Sequence, residues 1–339
     1  MTIQTITAKR ADDGPRASQR TPRRATESQR TLLMVAKKRR GHDRDFPRLV
    51  QIIRNIAPDV SPLIVRDRLH HSFYPQALFR PTLTVCFDTL NHLTPLRGSI
   101  CQNRILPKSE EYRRLERNSI PVPAWQLLDE HTSPDLSRFH GDYVVVKPDL
   151  GAKGAEVKIK RKTRVRWRPS QTARAIKIGH QQSLVQQFIY TGSWPTSYRV
   201  TTLFGRVLFA WRVEASRDRR PLAGPEAFRG GEQGGGISIS SSGRESRFTL
   251  CYEKDVLDLG IQAHASFEDF PLLGTDIVRD ATTGKLYVLE VNSCGSVWHF
   301  SSETGLSIQR DHELDFDKQF DGLHVAAEAL VEQVHRRAV

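Results

Sequence analysis

Apolar positions along the chain fall into short runs separated by basic or glycine-rich turns, and the period inside each run predicts its element. Leu32 to Ala36 is a continuous apolar stretch of strand length. A basic turn follows, and then Phe46, Leu49, Val50, Ile53 and Ile56 recur at helical spacing. Val60 to Val65 and Thr82 to Phe87 read as two further strands, the second stopping at Asp88. Strand, helix and strand at these spacings predict a small β-α-β lobe over residues 30–100 with a right-handed crossover.

Lys108 to Asn118 carries Tyr112 and Leu115 on one helical face and is stopped by Ile120-Pro121-Val122-Pro123. The chain is then dense in strands: Tyr143 to Lys147, Ala155 to Lys160, Ser183 to Tyr190, Ser197 to Phe204, Val207 to Val213, Leu273 to Val278 and Lys285 to Val291. Tight links such as Gly205-Arg206 and Thr283-Gly284 leave no room for crossovers, so these strands are expected to be antiparallel. Helical patterns interrupt them at Thr172 to Ile178 and Lys254 to Phe267, and a last helix spans Gly322 to Arg337. The expected division is one lobe over 101–190 and another over 191–339.

Composition changes this picture at one end. Residues 1–29 are rich in Thr, Arg, Ser and Gln and poor in large apolar residues, so they are expected to form a disordered basic tail. Its alternatives are an arm for nucleic acid and a transit segment, and Asp12 and Asp13 speak against the latter. Much of the +13 formal charge lies in the first 44 residues, so nucleic acid is not expected as a partner of the rest. No apolar run approaches the roughly 18 residues of a membrane span. Cys86, Cys101, Cys251 and Cys294 lack paired spacing, so neither a zinc ribbon nor a disulfide framework is expected, and a reducing, cytoplasmic compartment fits.

Two segments carry candidate chemistry. Lys147 and Pro148 end a strand, and Gly151, Lys153 and Gly154 follow within a few residues. A fixed cation before a glycine loop suits a polyphosphate, because glycine lets main-chain N–H groups approach phosphate oxygens. An ordinary hairpin reads the same way, so the weight falls on the second segment. There Glu290 and Asn292 alternate with Leu289 and Val291 and so share a face, and the turn at Thr282-Thr283-Gly284 brings Asp276 alongside. Three hard oxygen donors are then expected to converge as a Mg²⁺ site, with Mn²⁺ as an alternative occupant.

In this order the motifs resemble the ATP-grasp superfamily, and within it the branch of glutathione synthetase and the ribosomal-protein glutamate ligases. The resemblance runs from about Pro95 to Phe300. It implies an α+β fold, two lobes gripping ATP, preceded here by the small α/β lobe. Lys108 and Lys147 are similar to the family's nucleotide-facing lysines, and Gly151, Lys153 and Gly154 to its phosphate loop. Gln186, Gln187, Phe188 and Ile189 resemble the hinge that reads adenine, while Asp276, Glu290 and Asn292 fall on its metal ligands. The implied activity is ATP-dependent ligation of a small-molecule or peptide carboxylate to an amine, or less often a thiol, through an acylphosphate. Arg229 is implied to offset phosphate charge, and Arg199 or Arg212 is a candidate for holding the substrate carboxylate.

The chain departs from the family at three places. Gln187 replaces a hinge acid, Ser197 stands where many relatives have an Asp, and Gly231 replaces an Asn after Phe228 and Arg229. A kinase-type transfer, or a decayed nucleotide-binding regulator, therefore stays open as an alternative. The loop from Ser293 to Trp298 is expected to face the acceptor pocket. His70, His71 and Tyr74, and Trp298 with His299, lack metal-ligand spacing and read as packing or substrate contact. Lys158 to Arg168, with Trp167, is either a polyanion surface or a solvated strand face.

Overall fold

The computed structural model describes residues 29–37, 42–67, 79–91, 93, 98–131, 134–151, 154–215, 221–222, 224, 246–295 and 297–339. The basic tail through residue 28, His70, His71, Tyr74, Lys153, and Phe228 to Gly231 with Arg229 lie outside them.

β1 (Arg30–Ala36) is buried on both faces. Leu32 and Met34 point into one core, Leu33 and Val35 into another with Val65 and Cys86. A strand covered on both sides is suited to parallel neighbours. β1 pairs in parallel with β2 (Val60–Arg66) and β3 (Thr82–Cys86), and β4 (Ser99–Gln102) extends the sheet, in the order β2-β1-β3-β4. Helix α1 (His42–Ile56) lies between the parallel strands β1 and β2 in the chain. β4 was not predicted; it is short and is entered through Gly98 at φ +90°, where a Cβ would lie 2.4 Å from the Thr82 carbonyl oxygen.

Helix α2 (Lys108–Arg117) leads into β5 (Trp125–Leu128), β6 (Tyr143–Pro148), β7 (Lys158–Arg161), α3 (Ala173–Ile178) and β8 (Ser183–Gln187). These strands form an antiparallel sheet ordered β5-β8-β6-β7. The strand expected from Ala155 starts only at Lys158, because Gly154 and Glu156 both take left-handed φ, near 69° and 60°, in the preceding turn.

The larger sheet is antiparallel and ordered β11-β10-β9-β12-β13. It comprises β9 (Thr196–Leu203), β10 (Arg206–Glu214), β11 (Arg247–Leu250), β12 (Leu272–Arg279) and β13 (Leu286–Asn292). Helix α4 (Lys254–Ala265) covers one face, packing Val256, Leu259 and Ala263 on Val200, Ala210 and Ile277. Beyond the sheet come α5 (Glu303–Asp311), α6 (Phe316–Phe320) and α7 (Gly322–Arg337). Phe316, Leu323, Ala327 and Leu330 from α6 and α7 cover Phe209, Trp211 and Val213 on the other face. α7 also packs on α1, so one apolar core runs from Leu32 and Phe46 to Trp211 and crosses residue 100, the expected lobe boundary. Among the described residues no helix is long and apolar enough to cross a membrane.

The fit of α4 on β9 leaves no space at Gly260, where a Cβ would lie 2.6 Å from Val200 Cγ1 and 2.7 Å from its Cβ. Gly260→Ala is therefore expected to destabilise the protein by about 1–3 kcal/mol through overpacking. Urea denaturation checks this, and an unchanged midpoint would contradict the close approach.

Candidate functional site

Arg199 on β9, Asp276 on β12 and Glu290 on β13 are partners across three adjacent strands, so their side chains leave the same face. Asn292, opposite Gly274, shares it. Arg199 grips Asp276 with Nε and Nη2, each 2.7 Å from a carboxylate oxygen. Asn292 Nδ2 donates to Asp276 Oδ2 at 3.0 Å. Between β12 and β13 the register slips: Asp276 pairs with Glu290 but Ile277 with Val288, leaving Leu289 as a bulge. The Leu289 carbonyl accepts from the Tyr112 hydroxyl at 2.6 Å and from Lys147 Nζ at 3.1 Å.

Two lysines reach this face from the smaller lobe. Lys108, the first residue of α2, has Nζ 2.9 Å from Glu290 Oε1 and 3.0 Å from the Gly151 carbonyl oxygen. Lys147, near the end of β6, donates to the Tyr112 hydroxyl at 2.9 Å and lies 5.1 Å from the centre of that ring. Burial lowers Lys147 to about 8, against the attraction of Glu290. Lys108 is also desolvated, but Glu290 and Glu111 outweigh that and raise it.

Two carboxyl groups in this cluster are driven apart. Burial pushes Glu290 upward, yet Lys108 and Lys147 prevail and hold it below the usual glutamate value. Glu111 is buried, accepts the Val291 N–H at 3.3 Å, and is pushed up to about 8 by burial. At neutral pH the first is a carboxylate and the second a neutral acid.

The glycine segment is tied to α2 through Asp149, which is fully buried. Its carboxylate accepts from Ser109 N at 2.8 Å and Ser109 Oγ at 2.9 Å, and His180 Nε2 lies 2.6 Å away. A carboxylate at a helix N-terminus complements the exposed N–H groups there. Gly151 and Gly154 lie on either side of the undescribed Lys153. On β8, Gln186 Oε1 is 2.9 Å from the Tyr112 hydroxyl. The Gln187 N–H donates to Ala124 O, and its side chain exchanges hydrogen bonds with the main chain of His140. Phe188 and Ile189 continue beyond the strand.

Arg212 is not brought to this cluster. Near the turn β9 and β10 pair as Leu203 with Arg206 and Thr202 with Val207, but Leu208 is bulged and beyond it Trp211 faces Arg199. The bulge moves Arg212 beside Tyr198 on the opposite face, where it meets Glu214 at 3.0 Å. Trp298 Nε1 donates to Asp45 at 2.6 Å and its ring stacks on Phe87 at 5.2 Å. The Cys294 thiol, 4.0 Å from Thr89 Oγ1, is pushed up to about 12 by burial and by Asp88, which leaves it protonated and poorly nucleophilic. Sequence reasoning missed Glu111, the polar role of Tyr112, and Asp149. Glu111 was within reach, since the position three after Lys108 on a helix lies on its side.

Glu111→Gln replaces one neutral group by another at pH 6. Between about 4.5 and 8 the unfolded chain ionises this carboxyl while the folded protein must keep it protonated, so folding takes up a proton and the wild type loses stability with each pH unit until the folded carboxyl also ionises near 8. Wild type should therefore lose stability relative to the variant between about pH 5 and 8, and the difference should stay level above that. Parallel melts that keep a constant difference would refute the assignment.

No family model and no curated protein matches this chain by sequence. Solved structures do match by shape. The ATP-grasp ligase PsnB, in complex with a phosphomimetic variant of its minimal precursor, Mg and ADP, superposes with TM-score 0.50 at 14% identity, over 89% of this chain and 98% of that one. D-cycloserine synthetase DcsG gives TM-score 0.49 at 14% identity, over 90% and 99%. D-alanine–D-alanine ligase from Bacillus anthracis gives 0.45 at 11%, over 91% and 99%. With three sheets arranged as described and nearly whole-length superposition on PsnB, this chain has the ATP-grasp fold.

Proposed function

We propose that this protein is a Mg·ATP-dependent ligase that activates a carboxylate as an acylphosphate and joins it to an amine or a thiol. The observation that carries this reading is the Lys147 ammonium, buried and hydrogen-bonded, among the described residues, to the neutral oxygens of Tyr112 and Leu289 alone. A cation held that way keeps its charge available for an anion. Lys108 and Arg199 stand at the same face, already matched by Glu290 and Asp276.

Among the described residues no three His, Cys, Asp or Glu side chains form a metal cluster, so a cation site depends on the amide of Asn292. Asp276, Glu290 and Asn292 make a donor set of hard oxygens, which fits Mg²⁺ or Mn²⁺ and not a thiophilic ion. When bound, the ion neutralises phosphate charge. The lysines orient the triphosphate, Gly151 beside Lys108 covers it, and main chain at Phe188 and Ile189 meets the base. The substrate carboxylate attacks the γ-phosphorus, ADP leaves, and the incoming amine displaces phosphate from the acyl group. Arg199 can hold the carboxylate; Arg212 is on the wrong face for it.

Incubation with Mg·ATP and pools of amino acids and peptides should give ADP and a product heavier than its acid by the amine less water. A phosphate adduct stable to hydroxylamine would instead identify a kinase. Glu290→Gln should lower ADP release by at least about 10²-fold with the fold retained, in line with loss of one electrostatic group. Undiminished turnover would remove Glu290 from the site.

A further inference from the structure

Residues 157–213 contain no Asp or Glu, while nine Lys or Arg fall between Lys158 and Lys177. β7 is an edge strand of its sheet, and the first of these cations lie on it. Lys158 and Lys160 pair with Val146 and Val144, which lie in the core with Leu128 and Val185, so both leave by that face. Lys147 alternates with those valines and leaves by the other face. The basic surface is therefore separate from the nucleotide side of the sheet.

A solvated edge needs only a lysine or two to discourage pairing. Here Lys160 is half-buried, and burial, followed by the nearby charges of Lys158 and Arg168, lowers its pKa. Lys158, Lys160, Arg164 and Arg168 form no ion pair among the described residues. Glu156, the nearest acid in sequence, is engaged by Ser170 Oγ and Gln171 N, each at 3.0 Å. Those contacts also hold the start of α3 near the start of β7. On α3, Arg174 and Lys177 are exposed beside Ile176 and Ile178, which are 54% and 56% exposed.

Two features favour a polypeptide over a nucleic acid. Among the described residues no strand lies beyond β7, so its outer main-chain groups can pair with an extended peptide. Bases would need an exposed aromatic platform, and Trp167 packs partly buried against the Val165 core. We propose that the free edge of β7, with its following turn and α3, docks an acidic extended polypeptide segment by strand addition. This surface does not depend on the ligase reading.

The test is fluorescence anisotropy with the full chain and a short fluorescein-labelled peptide of alternating Glu and Val. Binding should saturate, weaken with added salt, and fall by about tenfold or more when Lys158 and Arg168 are both changed to Gln. Exchanging them as Lys158→Arg and Arg168→Lys should restore it, and Mg·ATP binding should be unchanged in both variants. Peptide N-methylated at every residue should bind poorly, since neither edge of its backbone can then donate a main-chain hydrogen bond to β7. Equal binding of the N-methylated peptide, indifference to the Gln variant, or tighter binding of single-stranded RNA of equal charge would each overturn the proposal.

Discussion

The Lys147 ammonium is held away from water between a tyrosine hydroxyl and a main-chain carbonyl, and much of the protein is arranged around that fact. Removing a charge from water costs several kcal/mol unless dipoles replace the lost hydration. Those dipoles come from three separate parts of the chain. Lys147 is on β6 of the smaller sheet, Tyr112 is on α2 between the lobes, and the Leu289 carbonyl is exposed by a bulge at the edge strand of the larger sheet. The two sheets must therefore be in register with each other before the ammonium is tolerated.

The same economy governs the acids. Glu290 is an anion because Lys108 touches it, whereas Glu111, one turn along the same helix from Lys108, is kept neutral by burial. Arg199 and Asp276 neutralise each other through two parallel hydrogen bonds. A site assembled in this way holds its cations ready without collapsing them all onto carboxylates. The β2-β1-β3-β4 lobe contributes from behind: Asn103, fully buried after β4, donates to the Leu272 carbonyl at 2.6 Å and also to Ser293, which fixes the loop that follows the acidic strand.

Much of the fold was legible from local pattern. β1, α1, β2 and β3, the antiparallel run, α4 and α7 all follow from apolar periodicity that a short window contains. β4 and β5 have four residues each, too few to display a period, and β7 starts late because the non-glycine Glu156 adopts a left-handed turn. The placing of Asp276, Glu290 and Asn292 on one face was readable because strand alternation is local. Tyr112 was readable only as an apolar position, since nothing in α2 itself shows what its hydroxyl meets.

The sequence by itself determined which residues alternate within a strand and which recur on a helix, because φ and ψ preferences and side-chain period act over a few residues. Register between strands was decided only by the packed whole. One bulged residue, Leu208, turns Arg212 away from Arg199, and another, Leu289, presents the carbonyl that Lys147 needs. A single-residue slip reverses every side chain beyond it. Whether it occurs depends on the cores that α4, α6 and α7 press against the two faces, which no local stretch of sequence contains.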